Sequence, residues 1–374
     1  MKCAISKKYI SISLLVILLF TNVLLATSCE AESIRLFTDI SHFGSALKIS
    51  VFTTDDRFNN AVDDVKEFLN TLSRITDDTV RDSDLAKFNS AVDGEEIEVD
   101  KHIYELFKIS ETAYDLTEGA YDPTAYYLVD LWGFSRSGDE GKTAEERIPD
   151  ESLIKSFACL TDFSKIEGKE TDGKFFIKKD NTACDIGGTV YYAKLDFGGI
   201  IKGYAVEKIK EILISNGITK GNVIYGSSSL CLLDSFEKDN WTLKLTNPLK
   251  TDGAETYCNV YVKNADVATS GDYERFFEYN GKRYCHIIDG KTGYPIDNGV
   301  SSVTVISGSA ALADALATGL CVAGKEKILN FKEDSGLSDI DVIATFADGD
   351  TLKVFSTVND IDITNGERYE KKSV

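Results

Sequence analysis

From Arg57 to Ile75 the chain reads RFNNAVDDVKEFLNTLSRI, with Phe58, Val62, Val65, Leu69 and Leu72 three or four residues apart and polar residues between them. That spacing predicts an amphipathic helix. KHIYELFKISETAYDLTEG repeats it and stops at Gly119, and KGYAVEKIKEILISNG repeats it again and stops at Gly217. Elsewhere short apolar or alternating runs predict strands: KFFIKKD, YYAKLDFGG, GNVIYG, WTLKLTNP, CNVYVKN, DVATSG and SSVTVIS. Two longer stretches, YERFFEYNGKRYCHIID and DVIATFADGDTLKVFS, carry Asn-Gly and Asp-Gly at their centres and predict hairpins. On the first of these, alternation sends Cys285 and His286 to opposite faces, so the two cannot act as a nucleophile and base pair. Helices and strands mix without a regular βαβ rhythm, which predicts an α+β fold. Residues 135–150, SRSGDEGKTAEERIPD, are polar and read as a surface excursion.

One helical run breaks its own pattern. ALADALATGL places Asp314 among alanines and leucines, with Thr318 one turn further on the same face. Two oxygens so placed suit a hard cation, and equally Asp314 could bond a backbone group while Thr318 only fills space. Another unusual stretch, LDFGGIIKGYA, sets Asp196, Gly198, Gly199 and Lys202 at a helix start, where exposed N–H groups favour anions. Its glycine spacing fits neither a Walker A loop nor a dinucleotide fingerprint. TEGAYDPTAYYLVDLWGF and ATSGDYERFFEYNGKRYCHIIDGKTGYP gather Asp122, Ser270, Asp272, Tyr273, Arg275, His286 and Asp289 at strand ends and turns.

Charge changes the picture. The 374 residues carry a formal net charge of −20, which excludes a nucleic-acid backbone as partner. A phosphorylated ligand would need a local cation or aimed backbone N–H groups. At the N-terminus, Lys2, Lys7 and Lys8 precede YISISLLVILLFTNVLLA, and Thr27 and Ser28 precede Cys29. Residues 1–28 therefore read as a lipoprotein signal with Cys29 as the lipidated residue; a plain transmembrane anchor is the other reading. Both put the remainder outside the cytoplasmic membrane. The eight cysteines include no Cys-x-x-Cys pair and the three histidines are scattered, so a zinc site is not expected. Most cysteines sit in apolar runs as inert thiols, and sequence cannot pair any disulfide.

Taken together, SDLAKFN, GAYDPT, LWGF, DFGGIIKGYAVE, ATSGDYERFFEYNGKRYCHIIDGKTGYP, SVTVIS and ALADALATGL resemble, in order, the ApbE family of FAD:protein FMN transferases. The resemblance runs from about Phe43 to the end of the chain. It implies a T-fold-like α+β core around a flavin cleft over 43–360, a lipid-anchored tether over 29–42 and a polar tail over 361–374. It also implies FAD as substrate, Mg²⁺ as metal, and transfer of the FMN half to a Thr or Ser hydroxyl with release of AMP. The acceptor would be a flavoprotein subunit of a membrane redox complex, and the site the outer side of a bacterial cytoplasmic membrane.

Residue by residue, the resemblance implies Asp314 and Thr318 as side-chain ligands of the metal, with Gly199 and Ala317 offering backbone carbonyls. Asp196 and Lys202 match FAD contacts, Ala120, Tyr121 and Asp122 a flavin-contacting triplet, and Ile288 and Phe43 two further contacts. His286 matches the general base, the alternative being a residue that only shapes the pocket. Three positions depart from the family: Ile75, where an aromatic often faces the flavin; Gly226-Ser227, where Gly-Gly is usual; and Gly290, where Pro is usual. Two other functions use the same residues. A pyrophosphatase would release FMN and AMP with water as nucleophile, and a surface flavin-binding lipoprotein would release no AMP at all.

Overall fold

The computed structural model describes residues 31–135, 141–236, 240–249 and 255–369. The signal read over 1–28, Cys29 and the end of the tail lie outside the described residues. Nine strands form the main sheet in the order of the chain: β1 (Ser33–Asp39), β2 (Leu47–Thr53), β3 (Gly221–Tyr225), β4 (Ser229–Leu232), β5 (Asp266–Gly271), β6 (Val300–Ser307), β7 (Asp341–Asp348), β8 (Thr351–Ser356) and β9 (Glu367–Arg368). Neighbours run antiparallel except the last pair, β8 and β9. Every residue of β6 is buried, because elements cover both faces of the sheet there.

Among the described helices, α1 (Asp55–Thr76), α2 (Asp84–Ser90), α3 (Lys101–Leu116), α4 (Tyr126–Leu131) and α5 (Glu151–Ala158) precede α6 (Ile201–Ser215), α7 (Ala310–Ala323) and α8 (Lys325–Ser335). The apolar stripe of α1 and the alanine-rich α7 join one core with Leu47, Ile49, Val223, Val303 and Val305. On the other face, a three-stranded sheet of Trp241–Thr246, Thr256–Val262 and Ile361–Ile363 builds a second core, in which Tyr257 and Val260 meet Val267, Ile306 and Val354. The mixture is α+β, as the pattern predicts.

Several local readings change. Residues 33–39, read as tether, are strand β1, paired with β2 from Ser33↔Thr53 to Asp39↔Leu47. The tail contributes two short strands, because Ile361 and Ile363 find an apolar sheet to pack on. YYAKLDFGG is not a strand: only Thr189–Tyr191 pairs, with Cys184–Ile186, and the following residues form the loop into α6. Ile75, which stands where the family often has an aromatic against the flavin, is 2% exposed, packed into the core from the last turn of α1. Cysteines 231, 258, 285 and 321 are buried thiols, as expected, while Cys159 and Cys184 form a disulfide that ties the end of α5 to the 184–191 hairpin.

Candidate active site

The geometry of the site begins where α6 and α7 touch. Lacking a side chain, Gly203 lets the helices approach so closely that a Cβ there would lie 2.3 Å from the Ala310 carbonyl oxygen and 2.6 Å from Asp314 Cβ. The first turn of a helix leaves N–H groups unpaired. The Gly203 N–H donates to Asp314 Oδ2 at 2.8 Å, so α7 caps α6. The reverse also holds: Glu207 on α6 accepts from the Ala311 N–H at 3.1 Å and from the Ser309 hydroxyl at 2.6 Å, so α6 caps α7. Asp314 is therefore in part the backbone-bonding residue that one sequence reading foresaw.

A cleft opens beside this crossing. Of the described residues given a site role from sequence it is lined by Ala120, Tyr121, Asp122, Asp196, Gly199, Lys202, His286, Ile288, Asp314 and Thr318. Residues nearly two hundred positions apart thus converge on one hollow. Two others do not line it. Ala317 is fully buried within α7, and Phe43 has its ring against Tyr225, with centroids 6.0 Å apart.

Local bonds fix each wall. After α3, Gly119 takes φ 78° to end the helix, and the Tyr121 N–H donates to the Thr117 hydroxyl at 2.9 Å. Gly319 on α7 lets this turn press close, since a Cβ there would lie 2.7 Å from Tyr121 Cβ. The Asp122 carboxylate accepts from the Thr124 N–H at 2.8 Å, from the Thr124 hydroxyl and from the Phe163 N–H at 3.2 Å. Burial nevertheless pushes its pKa up to about 6, against those bonds. Asp196 shapes the loop into α6 by accepting from the Gly198 N–H at 2.7 Å, while its own N–H holds the Pro123 carbonyl. Gly290 presses on Thr161, whose Cγ2 would lie 2.4 Å from an added Cβ.

Charge gathers around Lys202. Its Nζ donates to Ser228 Oγ at 2.7 Å, and its field acts on Asp314, Glu274 and His286. Burial pushes the Asp314 carboxyl above the usual range, and Lys202, the Gly203 N–H and the Ser229 side chain pull it back only in part. A buried carboxylate left in that condition favours a bound cation. Thr318 Oγ1 lies 3.0 Å from Ser270 Oγ, so Asp314, Thr318 and Ser270 offer an oxygen-only donor set, the kind a hard cation takes when phosphate oxygens and water complete its shell. No group of three or more His, Cys, Asp or Glu suited to a metal is found among the described residues.

His286 follows directly on the strand Lys282–Cys285, with Cys285 buried in the core and His286 in the cleft wall. Its N–H donates to the Arg275 carbonyl at 2.9 Å, and its Nδ1 lies 3.2 Å from the same oxygen. A carbonyl only accepts, so Nδ1 carries the proton and the lone pair is on Nε2. Burial first, then the charges of Arg275 and Lys202, push the imidazole pKa down to about 4, which keeps it neutral at physiological pH. Glu274 and Ser228 also line the cleft and were not singled out from sequence, and Arg275, noted there without a role, lines it too. DYERF offered the one signal, an acid and a base side by side just upstream of the histidine strand.

The ApbE family model matches residues 43–343. The chain belongs to the ApbE family. A FAD:protein FMN transferase of Vibrio cholerae is 32% identical over 71% of this chain and 74% of its own. Among solved structures, the ApbE protein of Thermotoga maritima superposes with a TM-score of 0.69 at 29% identity, covering 84% of this chain and 94% of that one. The apo flavinyl transferase ApbE of Pseudomonas stutzeri gives 0.71 at 26% identity, covering 88% and 96%. The order of motifs read along this chain is therefore the order of an ApbE fold, and the cleft at the crossing of α6 and α7 is where its family-matched residues meet.

Proposed function

We propose that this protein transfers the FMN half of FAD to a Thr or Ser hydroxyl of an acceptor flavoprotein and releases AMP, working from the outer side of the membrane through a lipid on Cys29. The observation that carries the reading is the convergence of His286, Lys202, Asp314 and Thr318 on one cleft, with Nδ1 of His286 held 3.2 Å from the Arg275 carbonyl so that Nε2 is left to accept a proton. In the reaction the acceptor oxygen bonds to the FMN-side phosphorus while the bond from that phosphorus to the AMP oxygen breaks. The hydroxyl proton passes to Nε2 of His286, and AMP departs carrying the released negative charge. Lys202 offsets charge on the diphosphate, and the walls built by Tyr121 and Ile288 exclude water from the reacting phosphorus. Asp314 and Thr318, with the Gly199 carbonyl, would hold Mg²⁺, which would supply local positive charge to the diphosphate in a chain of net charge −20.

The test is mass spectrometry of a candidate acceptor, a subunit of a membrane redox complex, after incubation with the protein, FAD and Mg²⁺. A mass gain of one FMN moiety, lost with His286→Gln and with Asp314→Asn, is the expected result. AMP and free FMN with no modified acceptor would replace transfer by hydrolysis. Tight FAD binding without AMP would remove catalysis altogether.

A further inference from the structure

Strand β1 turns two of its three apolar side chains outward, Ile34 and Leu36. Arg35 and Phe37 point inward, Arg35 pairing with Asp55 at the start of α1 and Phe37 packing on the core, while Ile34, Leu36 and Ile40 are 55%, 69% and 79% exposed. Single exposed apolar residues need no explanation, but Ile34 and Leu36 alternating on an edge strand, with Ile40 just past its end, do. The register extends the surface. Phe52 stands opposite Ile34, Ser50 opposite Leu36 and Lys48 opposite Thr38, and on β3 Asn222 and Ile224 continue the same face. None of the residues named on this face is acidic; Lys48 and Lys220 lie at its margin, flanked by the acids Glu32, two residues before Ile34, and Asp234, bridged to Lys220.

Cys29 lies four residues before Ser33, a reach of at most about 14 Å even fully extended. We infer that the outward face of β1 and β2 rests on the lipid bilayer, with Ile34, Leu36 and Ile40 in the headgroup region and Lys48 and Lys220 beside lipid phosphates. This rests on the lipid-anchored reading above and deepens it. An anchor alone would leave the domain free to tumble. The added face fixes its orientation, with β5 and Ser270 four strand spacings, roughly 19 Å, along the sheet from β1.

The experiment uses the full chain, processed and lipidated in a bacterial host and reconstituted in phosphatidylcholine and phosphatidylglycerol vesicles. A nitroxide is attached at Leu36→Cys in one preparation and at Asp350→Cys, in the exposed β7–β8 turn, in another. The four native thiols at 231, 258, 285 and 321 are buried and leave the label site-specific. The expected result is a label at 36 relaxed several-fold more by oxygen than by a water-soluble nickel complex, with the reverse at 350. A chain that floats with vesicles while both labels behave as in water overturns the inference and leaves the anchor standing. Dipolar broadening at 36 overturns it in favour of a second copy pairing through β1. A chain that does not float overturns the anchor, and this inference with it.

Discussion

Replacing Gly203 by Ala tests whether the helix crossing builds the cleft. The new Cβ would stand 2.3 Å from the Ala310 carbonyl oxygen, which is backbone and cannot swing aside, so α6 and α7 must part. Forcing a methyl into such a contact costs about 1–3 kcal/mol, and the backbone clash argues for the upper end. Parting the helices also lengthens the 2.8 Å bond from the Gly203 N–H to Asp314, a charged-acceptor bond worth about 1.5–3 kcal/mol. Alanine returns about 1 kcal/mol as the better helix former. The net destabilisation is about 4 kcal/mol, which at about 2.1 cal/mol/K of unfolding entropy per residue over roughly 320 residues lowers Tm by about 6 °C. Thermal unfolding followed by circular dichroism reads this directly, and FAD binding by fluorescence should weaken in step because Lys202 moves with Gly203. Gly308→Ala is the control, with nothing within 4 Å of its Cβ. If Gly203→Ala melts with the wild type and the control, the close approach of α6 and α7 is not what holds the site.

His286→Gln should slow transfer by about 100- to 10,000-fold while FAD affinity changes little, which stopped-flow turnover alongside equilibrium binding would separate. Proton NMR of the three histidines, with that variant as assignment, should place the His286 titration near pH 4; a midpoint near 6.5 would refute the buried environment. Because the folded pKa lies below the unfolded one, the unfolded chain takes up the proton first. The stability His286 contributes is thus complete above about pH 6.5 and falls as pH drops toward 4. Asp122 works in the opposite sense: its folded pKa of about 6 lies above the model-peptide 3.8, so its contribution erodes as pH rises through that interval, and Asp122→Asn should flatten the stability profile there. Asp314→Asn keeps an oxygen for the Gly203 N–H and should leave Tm near that of the wild type, yet abolish Mn²⁺ binding in the presence of FAD as seen by electron paramagnetic resonance.

Much of the architecture could be read from local pattern. The helices around Val65, Ile103 and Ile209 announce themselves because one apolar face per 3.6 residues is written within a single segment. Strand β1 could not be read that way, since Ile34 and Leu36 point away from the core and so reverse the usual sense of the alternation. The loop before α6 misled for a related reason: Leu195 and Phe197 are buried as in a strand, but the chain there is held by Asn89 and Pro123 rather than by a neighbouring strand. Motif order named most of the residues that line the cleft. Their physical arrangement was not legible, because Glu207 and Ala311, or Gly203 and Asp314, are more than a hundred positions apart and nothing in either segment names its partner.

The two readings of ALADALATGL turn out not to compete. Asp314 bonds backbone through Oδ2, which makes it structural, and burial still leaves its carboxyl short of compensation, which is the condition that the proposed cation would relieve. A helix cap from another helix fixes the carboxylate more rigidly than a loop could, and rigidity is what a metal and a diphosphate need from the group that orients them. The same reciprocity explains why glycine stands at 203 beside Lys202: the space that admits Asp314 also brings the lysine to the cleft. Fold and chemistry therefore share a single contact, and a substitution that spares the carboxylate but moves the helix should disable catalysis as surely as removing the charge.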